Sequence, residues 1–585
     1  MEHLQQKLDT IFPGSSRFAL LEARAEQLGQ FAQWHRLRYQ RSSDTGHEGI
    51  TLNILSFSPD QLLPLPIRFH KNGRERLMQD ADLQRAIANA FWQTCWAEGA
   101  LRTARGETFP VAFAVTDRLG PVALAEQHIT SIEAHNNGWL VGTEEIIVQR
   151  LQEKTRAGRL SLHDGQLSGD LDPEEQAFLQ KYTFVDRFIG DNSRVQAGTR
   201  PLRQLVRVNA SHLISRLYAG ELGHFAPEGF RASLLAATNN GFFLNFPEEY
   251  RNPLTAMNDP VGLLVVDGEL LQAPLVPRAA FLAGGAGKAS ITTVSMQHCV
   301  LQLPWERAPL EAGGTDGFAI DNEGAHGRQT VVFTPAWRAE LGAGEQKTPA
   351  GEVVEVAIVF RRIVAVAGGG GMEIPASGFV LSMPARRISA RAILAAIREH
   401  GAGIGIRLRA ELFGMQHINT AIGAGPALLQ NGQIIAQDFF TAGAGGEVFL
   451  PVRSDGEITQ AGVAPTRFPH DSGRTRAPRT ILGLKPDGSA LLCVIDGRLH
   501  EHSLGATLRE AGAIGKALGC SDVLNMDGGG SSVLQLWPES LRQTVLLPEI
   551  SPGIANIPSD NGHRDRLMPV VISITEPAGE RSPIA

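Results

Sequence analysis

Two rhythms of hydrophobic and polar positions divide the chain. Before about residue 200, apolar side chains return every three or four positions. Leu21, Ala25, Leu28, Phe31 and His35 fall on one helical face, and Leu83, Ile87, Phe91 and Cys95 follow Asp82 at the same spacing. Asp172-Pro173-Glu174-Glu175 reads as a helix start: an N-cap acid, proline in the first turn, and acids against the positive end of the dipole. Strand-like pieces such as VAFAV (111–115) lie between these helices. From about residue 203 short β-branched runs take over: LVRV (205–208), GLLVV (262–266), TVVF (330–333), GFVLSM (378–383), SALLCVI (489–495), DVLNM (522–526) and VVISI (570–574). Asp267-Gly268, Asn431-Gly432, Asp487-Gly488 and Asp496-Gly497 punctuate them as turns. Two helices stand out in this half. One covers 389–400 and stops at Gly401; the other covers 507–518, opened by a Thr507/Glu510 capping box and closed by Gly519.

The pattern predicts an α+β protein. A helix-rich α/β N-terminal accessory domain of unassigned role is expected over 1–202. A catalytic domain built on a large mixed or antiparallel sheet is expected over 203–575, followed by a tail at 576–585.

Composition narrows the function. Lys and Arg number 54 against 61 Asp and Glu, a net charge of −7, which does not supply the broad basic surface that nucleic-acid binding needs. The four cysteines (Cys95, Cys299, Cys493, Cys520) form no CxxC pair, so a Cys-rich zinc or redox site is not expected. His35, His70, His128 and His135 are scattered rather than clustered. The opening MEHLQQKLDTIFPG lacks an apolar core behind a basic start, and no run of about 18 apolar residues occurs. VEVAIVFRRIVAVAG comes nearest, but Arg361 and Arg362 interrupt it, so it reads as two strands or one long bent strand. The expectation is a cytoplasmic protein, or one exported by a route the sequence does not show, with no membrane partner and its oligomeric state open.

Candidate chemistry concentrates near the C-terminus. In DVLNMDGGGSSVLQLW (522–537) a strand runs into Asp527, then Gly528, Gly529, Gly530, Ser531 and Ser532. Three glycines allow a backbone nest whose successive N–H groups point at one anion, and the hydroxyls add donors. A carboxylate beside such a nest suits an acid, a base or a metal ligand. A plain glycine-rich turn is the competing reading. No Gly-Lys-Ser/Thr follows, so it is not a P-loop. In APRTILGLKPDGSALLCVIDGR (477–498) a hairpin brings Arg479 and Thr480 near Asp496 and Arg498; its competing reading is a surface Arg–Asp pair. ATNNGFFLN (237–245) offers Asn239 and Gly241 in a turn, with packed aromatics as the alternative.

Taken together, these blocks resemble the phosphodiester glycosidase family. Asn239–Phe243, Ile374–Ser382, Ala421–Gly432, Arg479–Gly483 with Asp496–Arg498, the helix at 507–518, Asn525–Ser532 and NIPSDNGHRDR (556–566) follow the family's order over about residues 203–575. Asn240 stands where the family has Gly or Ala, Met526 replaces Leu, and Ile481-Leu482 replaces Ala-Ile. The resemblance implies hydrolysis of a sugar 1-phosphodiester to free sugar and a phosphomonoester, with a small phosphorylated sugar or glycan as the ligand. On that reading Asp527 is the general acid/base, Asp496 a second acid, and Arg479 with the Gly528–Gly530 nest holds phosphate. Arg498 and Thr480 position the acid or bind phosphate, Asn239, Asn525 and Ser531 orient oxygens of the ligand, and Gly241 and Ser532 complete the binding set. No cofactor is required; a divalent cation shared by Asp527 and Asp496 is allowed. Two alternatives stay open: a metal-dependent phosphodiesterase attacking phosphorus, and a non-catalytic phosphoglycan-binding module.

Overall fold

The computed structural model describes residues 2–66, 260–338, 346–435 and 475–536 with few gaps. It adds shorter stretches within 147–176, 234–244, 554–559 and 567–575, and a few isolated residues, Glu447 among them. The helical spacing read over 83–95, the strand at 111–115 and the junction at 202/203 fall outside the described residues.

In chain order the elements used below are α1 (Glu2–Ile11), β1 (Ala19–Leu28), β2 (Ala32–Ser43), β3 (Gly46–Phe57), β4 (Leu62–Pro66), β5 (Leu234–Asn239), β6 (Leu264–Val266), β7 (Arg278–Gly284) and β8 (Ala289–Val294). They continue with α2 (Ala390–His400), β9 (Ile418–Gly423), β10 (Ala427–Gln430), β11 (Arg479–Leu484), β12 (Ala490–Ile495), α3 (Leu508–Ala517), β13 (Asp522–Asn525), β14 (Leu534–Leu536) and β15 (Val570–Thr575).

An eight-stranded sheet runs β1-β2-β3-β12-β11-β13-β10 and ends on the short strand Gln433–Ile434. All its pairings are antiparallel. A four-stranded sheet has the order β14-β5-β15-β4, and β6 to β9 belong to a five-stranded sheet. A second five-stranded sheet, from residues 318 to 384, contains the VEVAIVFRRIVAVAG segment. That segment forms two strands, Ala350–Val359 and Arg362–Gly370, turning at Phe360 and Arg361 with φ of 47° and 63°. The described residues are mostly β, with few helices.

The two faces of the large sheet bury different partners. On one, Leu37, Tyr39, Ile50, Leu52, Ile54, Ile481 and Cys493 pack under Leu4, Leu8 and Phe12 of the N-terminal segment and Leu508 and Ile514 of α3. On the other, Trp34, Leu55, Leu492, Val494 and Leu524 meet Leu534, Ile572 and Ile574 of the four-stranded sheet, with Phe281 and Ile422 beyond. α3 lies close on the sheet because Gly512 and Gly515 have no side chains. A Cβ on Gly515 would stand 2.6 Å from Val523 Cγ2. Gly515→Val should therefore lower stability by about 1–3 kcal/mol through overpacking, read from urea denaturation midpoints. An unchanged midpoint would mean that α3 can move away freely.

The helix-rich expectation for the N-terminal segment does not hold over residues 19–66. Residues 19–57 form three strands. Of the supposed helical face, Leu21 is 53% exposed and Ala25 is exposed too; among its described members Leu28 alone is fully buried. The apolar residues instead divide between the two faces with the strand period: Leu37, Tyr39, Ile50, Leu52 and Ile54 pack on one, and Trp34, Leu55 and Phe57 on the other. β3 pairs with β12 (Asn53 opposite Val494, Leu55 opposite Leu492), and β4 pairs with β15. Residues 19–66 thus share sheets with residues 427–575, across the expected domain boundary.

The helix starts read from the sequence are present. Thr507 N–H donates to Glu510 Oε2 (2.8 Å) and Glu510 N–H to Thr507 Oγ1 (3.2 Å). Asp172 and Glu175 make the same reciprocal pair at 2.9 and 2.8 Å. Among the described residues no helix is long and apolar enough to cross a membrane.

Candidate active site

The ends of β5, β11, β12 and β13 meet at one edge of the space between the two packed sheets. Asn239, 1% exposed at the end of β5, is the hub. Its Oδ1 accepts from Thr480 Oγ1 (2.8 Å), Thr238 Oγ1 (3.3 Å) and the Val533 N–H (3.3 Å). Its Nδ2 donates to the Asp527 carbonyl (2.7 Å) and the Asn240 carbonyl (3.3 Å). Asn239 and Thr480 are therefore fastened to each other and to the protein, rather than offered to a ligand. Gly241 is small for a packing reason: a Cβ there would sit 2.4 Å from the Gly423 carbonyl oxygen.

Asp527 leaves β13 half-buried, its N–H donating to the Asn240 carbonyl (3.2 Å) and its Oδ1 accepting from the Gly528 N–H (2.9 Å). The glycine-rich turn then closes on itself. Gly529, with φ of +60°, donates to the Pro478 carbonyl (2.8 Å), Ser531 to Gly528 and Ser532 to Gly529 (both 3.2 Å). The expected nest of successive N–H groups is thus turned inward. Among the described residues only the Gly530 N–H of this turn lacks an acceptor. The reason is local: a short 3₁₀ turn over Gly529–Ser531 satisfies its own amides.

The two arginines divide their roles. Arg479 is 4% exposed; its Nε donates to the Ala506 carbonyl (2.8 Å) and its Nη2 to the Thr475 carbonyl (3.0 Å). Burial, with Arg498 nearby, lowers its guanidinium to about 10. Arg498 is exposed, in the left-handed region at φ of 62°, and donates to Ser559 Oγ (3.2 Å). A Cβ on Gly529 would lie 3.3 Å from Arg498 Nη2, and one on Gly528 3.6 Å from Arg479 Nη1, so both cations flank the turn. Arg479→Lys keeps the charge but cannot hold both carbonyls. It should cost about 1–3 kcal/mol, the penalty for one buried acceptor left unpaired. Chemical denaturation checks this, and an unshifted midpoint would remove the bracing role.

Asp496 follows β12 and is fully buried. His502 Nε2 donates to its Oδ2 at 2.8 Å, and the Ile557 N–H lies 3.3 Å from both carboxylate oxygens. Its N–H donates to the Thr51 carbonyl of β3 (3.1 Å), and its carbonyl accepts from Ser503 Oγ (2.6 Å). As the second acid of the sequence reading Asp496 is enclosed, both oxygens engaged. Arg36 of β2, buried beside it, donates to the Ala555 carbonyl (3.1 Å); burial lowers its guanidinium while Asp496 and Glu22 hold it up.

Further polar groups line the turn. Asn556 donates to the Ser532 carbonyl (3.1 Å) and accepts from the Leu534 N–H (2.7 Å). Asn525 Nδ2 donates to the Gly425 carbonyl (2.9 Å). Buried Oδ1 atoms of Asn240 and Asn525 and Oγ of Ser532 have no partner among the described residues. Ser531 is 1% exposed. Sequence reasoning missed His502, Arg36, Thr51 and Ile557. His502 lies six residues beyond Asp496 in the same loop, which is a usable signal; the others come from distant segments. Among the described residues no group of three or more His, Cys, Asp and Glu side chains is gathered that could hold a metal.

Most of this constellation lies within one stretch that compares with known proteins. Residues 361–575 match the phosphodiester glycosidase family model. The matched stretch begins later than the resemblance read from the motifs, so Asn239 and Gly241 lie outside it. No curated protein matches the chain. Similar solved structures include a hypothetical protein from Synechocystis, at 13% identity and a TM-score of 0.38, covering 94% of this chain. This chain spans 63% of that protein's length, under two thirds of it. A protein described as exported, from Burkholderia pseudomallei K96243, is 15% identical with a TM-score of 0.39, covering 96% of this chain and 97% of its own. The zebrafish N-acetylglucosamine-1-phosphodiester alpha-N-acetylglucosaminidase catalytic domain, auto-inhibited by its pro-peptide, is 15% identical with a TM-score of 0.18, covering 52% and 85%.

Proposed function

We propose that this chain is a hydrolase that cleaves sugar 1-phosphodiesters, releasing the sugar and leaving a phosphomonoester. The observation that supports this best is one turn holding three kinds of group. Half-buried Asp527 begins it, Arg498 and Arg479 flank Gly528 and Gly529, and the stretch matched by the family model contains them all. A phosphodiester carries one negative charge, which Arg498 and the Gly530 N–H suit as donors. Asp527 serves as the acid/base group at the anomeric carbon or its attacking water. A phosphomonoester leaves more readily than an alcohol, so a second carboxylate in contact with the substrate is not needed. Arg479, Asn239 and Thr480 act by holding the turn in place.

The test is turnover of a panel of sugar 1-phosphodiesters in ¹⁸O-water. The expected products are free sugar carrying the label and an unlabelled phosphomonoester. Label in the phosphate would favour a phosphodiesterase attacking phosphorus. Saturable binding without turnover would favour a phosphoglycan-binding module.

A further inference from the structure

We propose that His502, oriented by buried Asp496, is a second proton-transfer residue of this site; the inference rests on the phosphodiester hydrolase reading. Asp496 is fully buried, and His502 Nε2 and the Ile557 N–H take up its oxygens. It cannot itself reach a ligand. The imidazole it holds is less enclosed: the His502 side chain is 16% exposed, and no bond to its Nδ1 is made among the described residues. A buried carboxylate on one ring nitrogen fixes the ring's orientation and tautomer, leaving the other nitrogen to exchange a proton.

The loop is built to hold this pair still. Ser503 Oγ donates to the Asp496 carbonyl (2.6 Å) and accepts from the Thr51 N–H (3.1 Å), while Thr51 Oγ1 donates to the His502 carbonyl (2.9 Å). The N-terminal strand β3 therefore clamps His502 in place. The same loop carries Arg498 to Gly529, so one eight-residue turn, 496–503, joins the pair to the phosphate-facing cation.

Imidazole suits this leaving group. The dianion of a phosphomonoester takes up one proton near a pKa of about 6, and imidazole is the side-chain type that exchanges a proton in that range. In the step inferred, water attacks the anomeric carbon and gives a proton to the Asp527 carboxylate. The bond from the anomeric carbon to the phosphate oxygen breaks, and its electron pair stays on that oxygen. Protonated His502 delivers the proton from Nδ1 to the leaving phosphate. Solvent returns one proton from Asp527 to His502, so the net reaction consumes one water.

The test uses the full chain and N-acetylglucosamine 1-(methyl phosphate) as probe, with release of free sugar as readout. His502→Gln should lose about 10²-fold in kcat with KM within about threefold of wild type, the low end of a general acid's share. In His502→Gly, added imidazole should restore at least about tenfold of the lost rate, a rescue that Asp527→Asn should not show. Asp496→Asn combined with His502→Gln should fall no more than about threefold below His502→Gln alone, because the two act as a unit. Circular dichroism checks folding; if His502→Gly is misfolded, rescue is read in His502→Ala. His502→Gln within about threefold of wild type, or fully additive losses, would overturn the dyad while leaving the hydrolase reading intact. A wild-type protein with no turnover of any sugar 1-phosphodiester would overturn both.

Discussion

Asp527→Asn should fold like the wild-type protein and lose about 10²- to 10⁴-fold in kcat, the usual share of a general acid or base. The structure separates the two jobs this side chain does. As a turn former, its Oδ1 accepts from the Gly528 N–H at 2.9 Å, and its backbone is held by Asn239 and Asn240. An asparagine Oδ1 accepts that bond equally well and favours the same turn. The proton-carrying function has no such substitute, because an amide does not titrate. KM should stay level or fall, since removing a carboxylate beside an anionic substrate relieves like-charge repulsion. Steady-state kinetics of the purified variant, with circular dichroism beside them, decide the matter. A folded variant with more than about a tenth of wild-type turnover contradicts the acid/base role, which requires a loss of at least about 10²-fold.

The sequence made local features legible and left distant ones hidden. The β11–β12 hairpin was readable because Asp487-Gly488 sits between two apolar runs, and α3 because Thr507 and Glu510 cap it reciprocally. The turn at Asp527 was readable as a turn, but its glycines suggested amides facing outward. The direction of those amides depends on the Pro478 carbonyl, which arrives from another strand. Asn239 illustrates the same limit: its residue type suits sugar binding, yet Thr480, Val533 and Asp527 take all its capacity. The first 57 residues misled because two periods coexist there. The spacing of Leu21, Ala25 and Leu28 fits a helix, whereas Ile50, Leu52 and Ile54 alternate, and only the second set is uniformly buried. Pairing with β12, more than 430 residues away, decides between them.

That long-range pairing yields the other large expected effect. A chain beginning at residue 203, where the texture of the sequence changes, should not fold. It would lack β3, whose Leu52, Asn53, Ile54 and Leu55 lie opposite Ile495, Val494, Cys493 and Leu492. β12 would become a long apolar edge in place of an interior strand, an invitation to aggregate. Both faces would open as well. Leu4, Leu8, Phe12, Leu37, Tyr39, Ile50, Leu52 and Ile54 would leave one, and Leu28, Trp34, Leu55 and Phe57 the other. Each such burial contributes about 1.5–3 kcal/mol, and a whole domain is stable by only about 5–15 kcal/mol. The active site would lose its support in the same stroke, because Thr51 holds Asp496, His502 and Ser503. The measurement is expression of 203–585 alone beside the full chain, followed by near-ultraviolet circular dichroism and thermal unfolding. The expected result is insoluble protein, or soluble protein without a cooperative transition. Co-expression with residues 1–66 should recover solubility, since those residues carry β1 to β4 and α1. A soluble, cooperatively unfolding and active 203–585 fragment would show that the N-terminal strands are an addition to a self-sufficient core, and the pairing of β3 with β12 would lose the structural weight given to it here.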